Sequence, residues 1–198
     1  SFAFLAGFSN ASQCVRSILF SKKTSNFLPF SLYAYNLAFI TLVLLTTKTS
    51  INYYSMKTGI VILNYNNATD TISCLRSLYA TTNIDKFRVV VVDNGSRREV
   101  VSQLSDFITR FAPSVTLHLL PKNVGYANGN NEGCKLLYND PEVGYIAILN
   151  NDTIVLEDFV TPLQAAIDNT PDAALISPQL LRLDGKTIEH NCARRAPK

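Results

Sequence analysis

Three short, almost unbroken apolar runs govern what this chain can become: Gly59–Leu63, Phe87–Val92 and Tyr145–Leu149. Each is followed at once by asparagine or aspartate. A strand with one wet face alternates apolar and polar residues. A strand covered on both faces does not, and such strands belong to parallel sheets sandwiched between helices.

Segments with helical spacing separate the runs. Ala68–Ala80 carries Ile72, Leu75 and Leu78–Tyr79 on one face, with Asn67 or Thr69 placed to cap it. Arg97–Phe111 is amphipathic through Val100, Val101, Leu104, Phe107 and Ile108. Val115–Leu120 alternates, which predicts a strand nearer the sheet edge. Gly125–Tyr138 reads as a helix with a glycine-rich start, Asp158–Asn169 as another helix, and Ala173–Ile176 as a last short strand. This alternation implies right-handed βαβ units and an α/β fold with a mostly parallel sheet flanked by helices. Ligands bind such sheets beyond the carboxyl ends of the strands. Asn64-Tyr65-Asn66, Asp93-Asn94 and Asn150-Asn151-Asp152 are therefore expected to converge on one edge.

Composition supports a buried core, at 47% apolar and 17% charged residues. The net charge of +3 is unevenly held. Residues 1–55 contain four basic side chains (Arg16, Lys22, Lys23, Lys48) and no acidic ones. Residues 56–198 hold the other fourteen basic and all fifteen acidic residues, a net of −1. The domain that starts near Met56 is thus near-neutral, and charge gives no argument for nucleic acid as a partner.

The first 55 residues form an apolar, basic extension. Within it, Phe27–Leu45 is mostly apolar and uncharged, and as a helix would span about 28 Å, close to a hydrocarbon core of ~30 Å. Membrane association through residues 27–45 is one reading. Upstream sequence joined to a domain beginning at Met56 is a second, and a packed part of the fold is a third. Cys14, Cys74, Cys134 and Cys192 lack metal-ligand spacing and read as buried, reduced thiols. That points to the cytoplasm, or the cytoplasmic face of a membrane.

The clusters themselves are open to bland readings. Asp93-Asn94-Gly95 resembles a hairpin turn, but a βα loop suits the helix that follows; a carboxylate there could accept from a ribose or a pyrimidine N–H. Gly125, Gly129 and Gly133 recur every four residues on one helix face, which suits close packing on the sheet or contact with a ligand equally. Asn150-Asn151-Asp152 is either an Asx-type turn or the holder of a hard divalent cation shared with phosphate oxygens. His118 and His190 have no partner at recognisable spacing.

Four segments together, Ile60–Asn66, Val90–Ser96, Asn123–Gly133 and Ile148–Val155, resemble the family 2 glycosyltransferases of the GT-A (Rossmann-like) fold. The rhamnosyltransferase-like bacterial branch is the nearest likeness, over residues 57–190. The resemblance implies an inverting transfer of a sugar from a nucleotide diphosphate donor (a dTDP- or UDP-sugar) to a saccharide or lipid-linked acceptor in surface polysaccharide synthesis. It also implies a divalent metal, Mg or Mn. By position it puts Leu63 and Tyr65 beside the base, Asp93 on base or ribose, Gly125, Asn131 and Asn151 along the nucleotide sugar, and Asp152 on the metal. In the family the general base lies downstream, in an acceptor-binding half expected beyond Lys198. The fold is accordingly expected to be incomplete over 56–198, as a nucleotide-sugar-binding part. Two other readings remain: a binding module without turnover, and a sugar nucleotidyltransferase. The second needs a glycine-rich, basic loop after the first strand, where the chain has Asn64-Tyr65-Asn66-Asn67.

Overall fold

The computed structural model describes residues 56–170 continuously, with Leu19–Phe20, Leu175–Ile176, Pro178, Leu180–Leu181 and Thr187–His190. Phe27–Leu45, Cys14 and Cys192 lie outside the described residues. Strand β1 (Leu19–Phe20) is followed by β2 (Lys57–Asn64), α1 (Ala68–Thr81), β3 (Phe87–Asp93), α2 (Arg98–Phe111), β4 (Thr116–Leu119) and α3 (Tyr126–Tyr138). Then come β5 (Val143–Asn150), α4 (Val160–Asp168), β6 (Leu175–Ile176), β7 (Leu180–Leu181) and β8 (Ile188–His190).

One sheet runs in the order β4-β3-β2-β5-β1-β6, and β7-β8 form a separate antiparallel pair. Strands β4, β3, β2 and β5 are mutually parallel; β1 pairs antiparallel with both β5 and β6. The chain steps outward from β2 to β3 to β4, then returns through α3 to the other side of β2. The topological switch point therefore falls between β2 and β5. Register aligns Asn64 with Asp93, and Leu63 with Asn150, so three strands end level.

The unbroken apolar runs are explained by cover on both sides. Ile60, Val61 and Ile62 in β2, and Val91 and Val92 in β3, are wholly buried. Each fully buried aliphatic side chain there contributes ~1.5–3 kcal/mol. A Cβ on Gly129 or Gly133 would strike Leu63, or Val61 and Val92, so odd-numbered β2 residues face α3. Thr71 of α1 bonds Asn64, so even-numbered ones face α1. Strand β4 lies at the sheet edge, in keeping with its alternation.

At the opposite end of the sheet a charge cluster closes the strand starts. Lys57 Nζ lies 2.9 Å from Glu142 Oε2, Arg88 also pairs with Glu142, and Arg88 Nε is 3.9 Å from Asp140 Oδ2. The hydrogen bonds from Lys57 and Arg88, with their positive charges, hold the Glu142 carboxyl below the usual carboxylate range. Among the described residues no helix is long and apolar enough to cross a membrane.

Candidate functional site

The carboxyl ends of β2, β3 and β5 meet through side chains, not only through the ladder. Asn64 continues the even-numbered face of β2 and is wholly buried. It must find partners inside. Its Nδ2 donates to Asp93 Oδ1 at 2.7 Å and to Ser96 Oγ at 3.1 Å, and its Oδ1 accepts from the Thr71 hydroxyl at 2.9 Å. Asn151 Nδ2 donates to the same Thr71 hydroxyl at 3.1 Å, which brings the β5 tip into the network.

Asp93 is 1% exposed, and both carboxylate oxygens are engaged, Oδ2 by the Ser96 N–H at 2.9 Å. An ionised carboxylate offers about four lone-pair positions, so two remain for a ligand donor. The Asp93-Asn94-Gly95 segment is a βα loop leading into α2 and not a hairpin. Gly95 has φ +73°, and a Cβ there would come 2.4 Å from the Lys122 carbonyl carbon. The loop closes against the segment before α3. Asn94, 2% exposed, donates to Asn123 Oδ1 at 3.1 Å and to the Gly125 carbonyl at 3.3 Å, and accepts from Val124 N–H at 2.9 Å.

The three α3 glycines divide between the two roles open to them. Gly129 and Gly133 make the close approach to the sheet. Gly125 caps the helix at φ +85° with nothing within 4 Å of a Cβ, so it is the one left open at the rim. Asn131 is half-buried on α3, while its neighbour Asn130 is buried with Oδ1 unpaired among the described residues. Leu63 packs partly buried against Gly129, and Tyr65 is 50% exposed beyond the β2 tip.

Asn150 ends β5 and accepts from the Tyr126 hydroxyl at 2.9 Å. Its carbonyl takes the Thr153 N–H at 3.2 Å in a turn, and the Cys74 thiol at 3.6 Å. Asp152 stands exposed on this turn, with no cation or hydrogen-bond donor paired to it among the described residues. Burial pushes the Cys74 thiol far above its ordinary range. The Asp152 charge adds to this, and a backbone hydrogen bond with Thr153 opposes it.

For a hard cation the donor set is sparse. Among the described residues no three His, Cys, Asp or Glu side chains cluster. Among the described residues at the three strand tips, Asp152 offers the carboxylate with no partner, while Asp93 already accepts from Asn64 and Ser96. Such a set fits a divalent ion that takes most of its ligands from phosphate and water.

The structure thus brings together Asp93, Asn151 and, through Tyr126 and Asn150, the open turn of Gly125. Asn64 and Asn94 belong to the strand-end clusters expected to converge here, though neither was given a specific role; Thr71 and Tyr126 were not expected at the site. Asn64 carried a further signal, as a polar residue in phase with Ile60 and Ile62 on a covered strand.

No curated protein sequence matches the chain. Among solved structures, S. aureus TarS 1-349 is 21% identical with a TM-score of 0.47, over 58% of this chain and 33% of that one. Mannosyltransferase PcManGT from Pyrobaculum calidifontis, solved with GDP-Man and Mn2+, is 21% identical with a TM-score of 0.44, over 56% and 31%. GalNAc-T7, solved with UDP, GalNAc and Mn2+, is 18% identical with a TM-score of 0.50, over 58% and 21%. The chain spans about a third or less of the length of each. The parallel sheet flanked by helices is the GT-A fold, which the chain shares with GalNAc-T7. The family model described as glycosyl transferase family 2 matches residues 59–191, well over half of the sequence, and the chain belongs to that family.

Proposed function

We propose that this chain binds the donor of an inverting glycosyltransferase: a nucleotide diphosphate sugar, dTDP- or UDP-linked, seated over the ends of β2, β3 and β5. The observation that carries the reading is the convergence of these three tips at the switch point in a family 2 chain, with Asp152 exposed and unengaged. Tyr65 offers an exposed ring to the base, and Leu63 backs it. Asp93 keeps two lone pairs for a base or ribose donor. The rim from Gly125 to Asn131 approaches the ribose and sugar, and Asn151 orients the turn that presents Asp152.

A divalent cation, Mg or Mn, would be held by Asp152 and supplies charge neutralisation at the diphosphate when bound. The UDP and Mn2+ in the GalNAc-T7 structure, whose fold the chain shares, support a metal–nucleotide pair. Protein groups hold the donor in place for attack, which lowers the entropic part of the barrier. The acceptor hydroxyl needs a general base, and none of the described residues is assigned that role. The rhamnosyltransferase-like likeness supports a saccharide or lipid-linked acceptor in surface polysaccharide synthesis. Work at the cytoplasmic face, with residues 27–45 on the membrane, completes the proposal.

Calorimetric titration of UDP-sugar and dTDP-sugar tests it. Binding is expected only with Mn2+ or Mg2+ present, and Asp152→Ala should abolish it. Equal binding by Asp152→Ala would overturn the metal assignment.

A further inference from the structure

A directional run of hydrogen bonds lies beneath the proposed site. The Asn151 amide donates to the Thr71 hydroxyl (3.1 Å), and that hydroxyl lies 2.9 Å from Asn64 Oδ1. The Asn64 amide donates on to Asp93 (2.7 Å) and Ser96 (3.1 Å). The Asn67 carbonyl, 3.0 Å from the Thr71 hydroxyl, is the alternative acceptor for its proton. We propose that Asn64 is a positioning residue that sets the β3 tip and the β5 tip in one arrangement, Asp93 directly and Asn151 through Thr71.

The chemistry of the position supports this. One side chain must donate to a carboxylate and accept from a hydroxyl at once, and an amide does both. Turning the amide over would set its oxygen against the Asp93 carboxylate, so the two neighbours fix its orientation. With the Thr71 proton on Asn64 Oδ1, the donors run from Asn151 through Thr71 and Asn64 to Asp93, and aligned hydrogen bonds in a dry interior polarise one another in the same sense. Asn64, Thr71 and Asp93 are all buried, so water does not replace a lost partner there.

The inference rests on the reading of these tips as a nucleoside diphosphate site. Its test is calorimetric titration of the full chain with UDP, GDP and dTDP in the presence of Mn2+, paired with thermal denaturation. Asn64→Leu and Thr71→Val should each weaken binding by about tenfold or more, as expected for losing a buried hydrogen bond to a charged network. Thr71→Ser, which keeps the hydroxyl, should restore binding. Leu104→Ala removes buried volume from α2, which takes no part in the relay; it should lower the melting temperature and leave the dissociation constant unchanged.

Parent-like binding by both Asn64→Leu and Thr71→Val would overturn the proposal. Weakened binding in Asn64→Leu with parent-like binding in Thr71→Val would overturn the coupling to β5. If Asn64→Leu does not fold, the Thr71 pair decides. If the parent chain binds none of the three nucleotides, the reading of the site itself falls, and the relay's role falls with it.

Discussion

Cys74 lies beneath the tip of β5, close enough to Asp152 to feel its charge, yet it is chemically quiet. Burial disfavours the thiolate there, and Cys134 on α3 is likewise pushed up to about 12 by burial. At pH 8 on the order of one Cys134 thiol in 10⁴ is ionised, so thiol reagents find almost no nucleophile. Neither cysteine should be modified by iodoacetamide in the folded protein within minutes, whereas both should react fully in urea; peptide mass mapping reads this. Fast labelling of Cys74 without denaturant would contradict its placement. At this scale the sequence was only partly legible. Asp93 and Asp152 both read as strand-end carboxylates, and both stand at strand ends. Their difference, one enclosed by Asn64 and Ser96 and the other exposed, depends on partners far apart in the chain, which no local pattern encodes.

Helix α3 packs closely on the sheet through its glycines. A Cβ on Gly133 would lie 2.5 Å from Val61 Cγ1 and 3.0 Å from Val92 Cγ2, both on buried, β-branched residues. Alanine gains ~1 kcal/mol in helix propensity, but overpacking costs ~1–3 kcal/mol. Gly133→Ala should therefore destabilise by up to about 2 kcal/mol in urea denaturation; a more stable variant would show that α3 stands further from the sheet. At the strand starts, the Glu142 pKa is lowered by Lys57 and then Arg88. A lowered folded-state pKa contributes stability above the ordinary carboxylate value, and that contribution is lost as pH falls through the lowered one. The melting-temperature gap between the parent and Glu142→Gln should be present at pH 7, shrink under acid, and narrow with salt. A gap constant from pH 7 to pH 3 would contradict the ion cluster. Element types were legible because period-2 and period-3.6 patterns survive in the sequence. Boundaries were less so: β5 starts at Val143, before the expected Tyr145. Gly144 sits within the strand, where a Cβ would strike the Met56 side chain.

Across the molecule, strand–helix alternation made the βαβ topology and its polar edge legible from the first three apolar runs. The insertion of β1 between β5 and β6 was not, because a two-residue strand has no periodicity to read. On the proposed function, one edge of this sheet, and not the other, receives a metal-bound nucleotide. The two edges differ in kind. Amide side chains and the exposed, unengaged Asp152 carboxylate gather at the ends of β2, β3 and β5, while the Lys57–Glu142–Arg88 cluster is internally paired at the other end. Nitrogen-15 NMR of the full chain, titrated with UDP and Mn2+, distinguishes them, since the paramagnetic ion broadens nearby amide signals. Broadening should concentrate at Tyr65, Asp93–Ser96 and Asn150–Thr153 and spare Lys57, Arg88 and Glu142. Broadening centred on the charge cluster, or no nucleotide-dependent change at the three tips, would contradict the account.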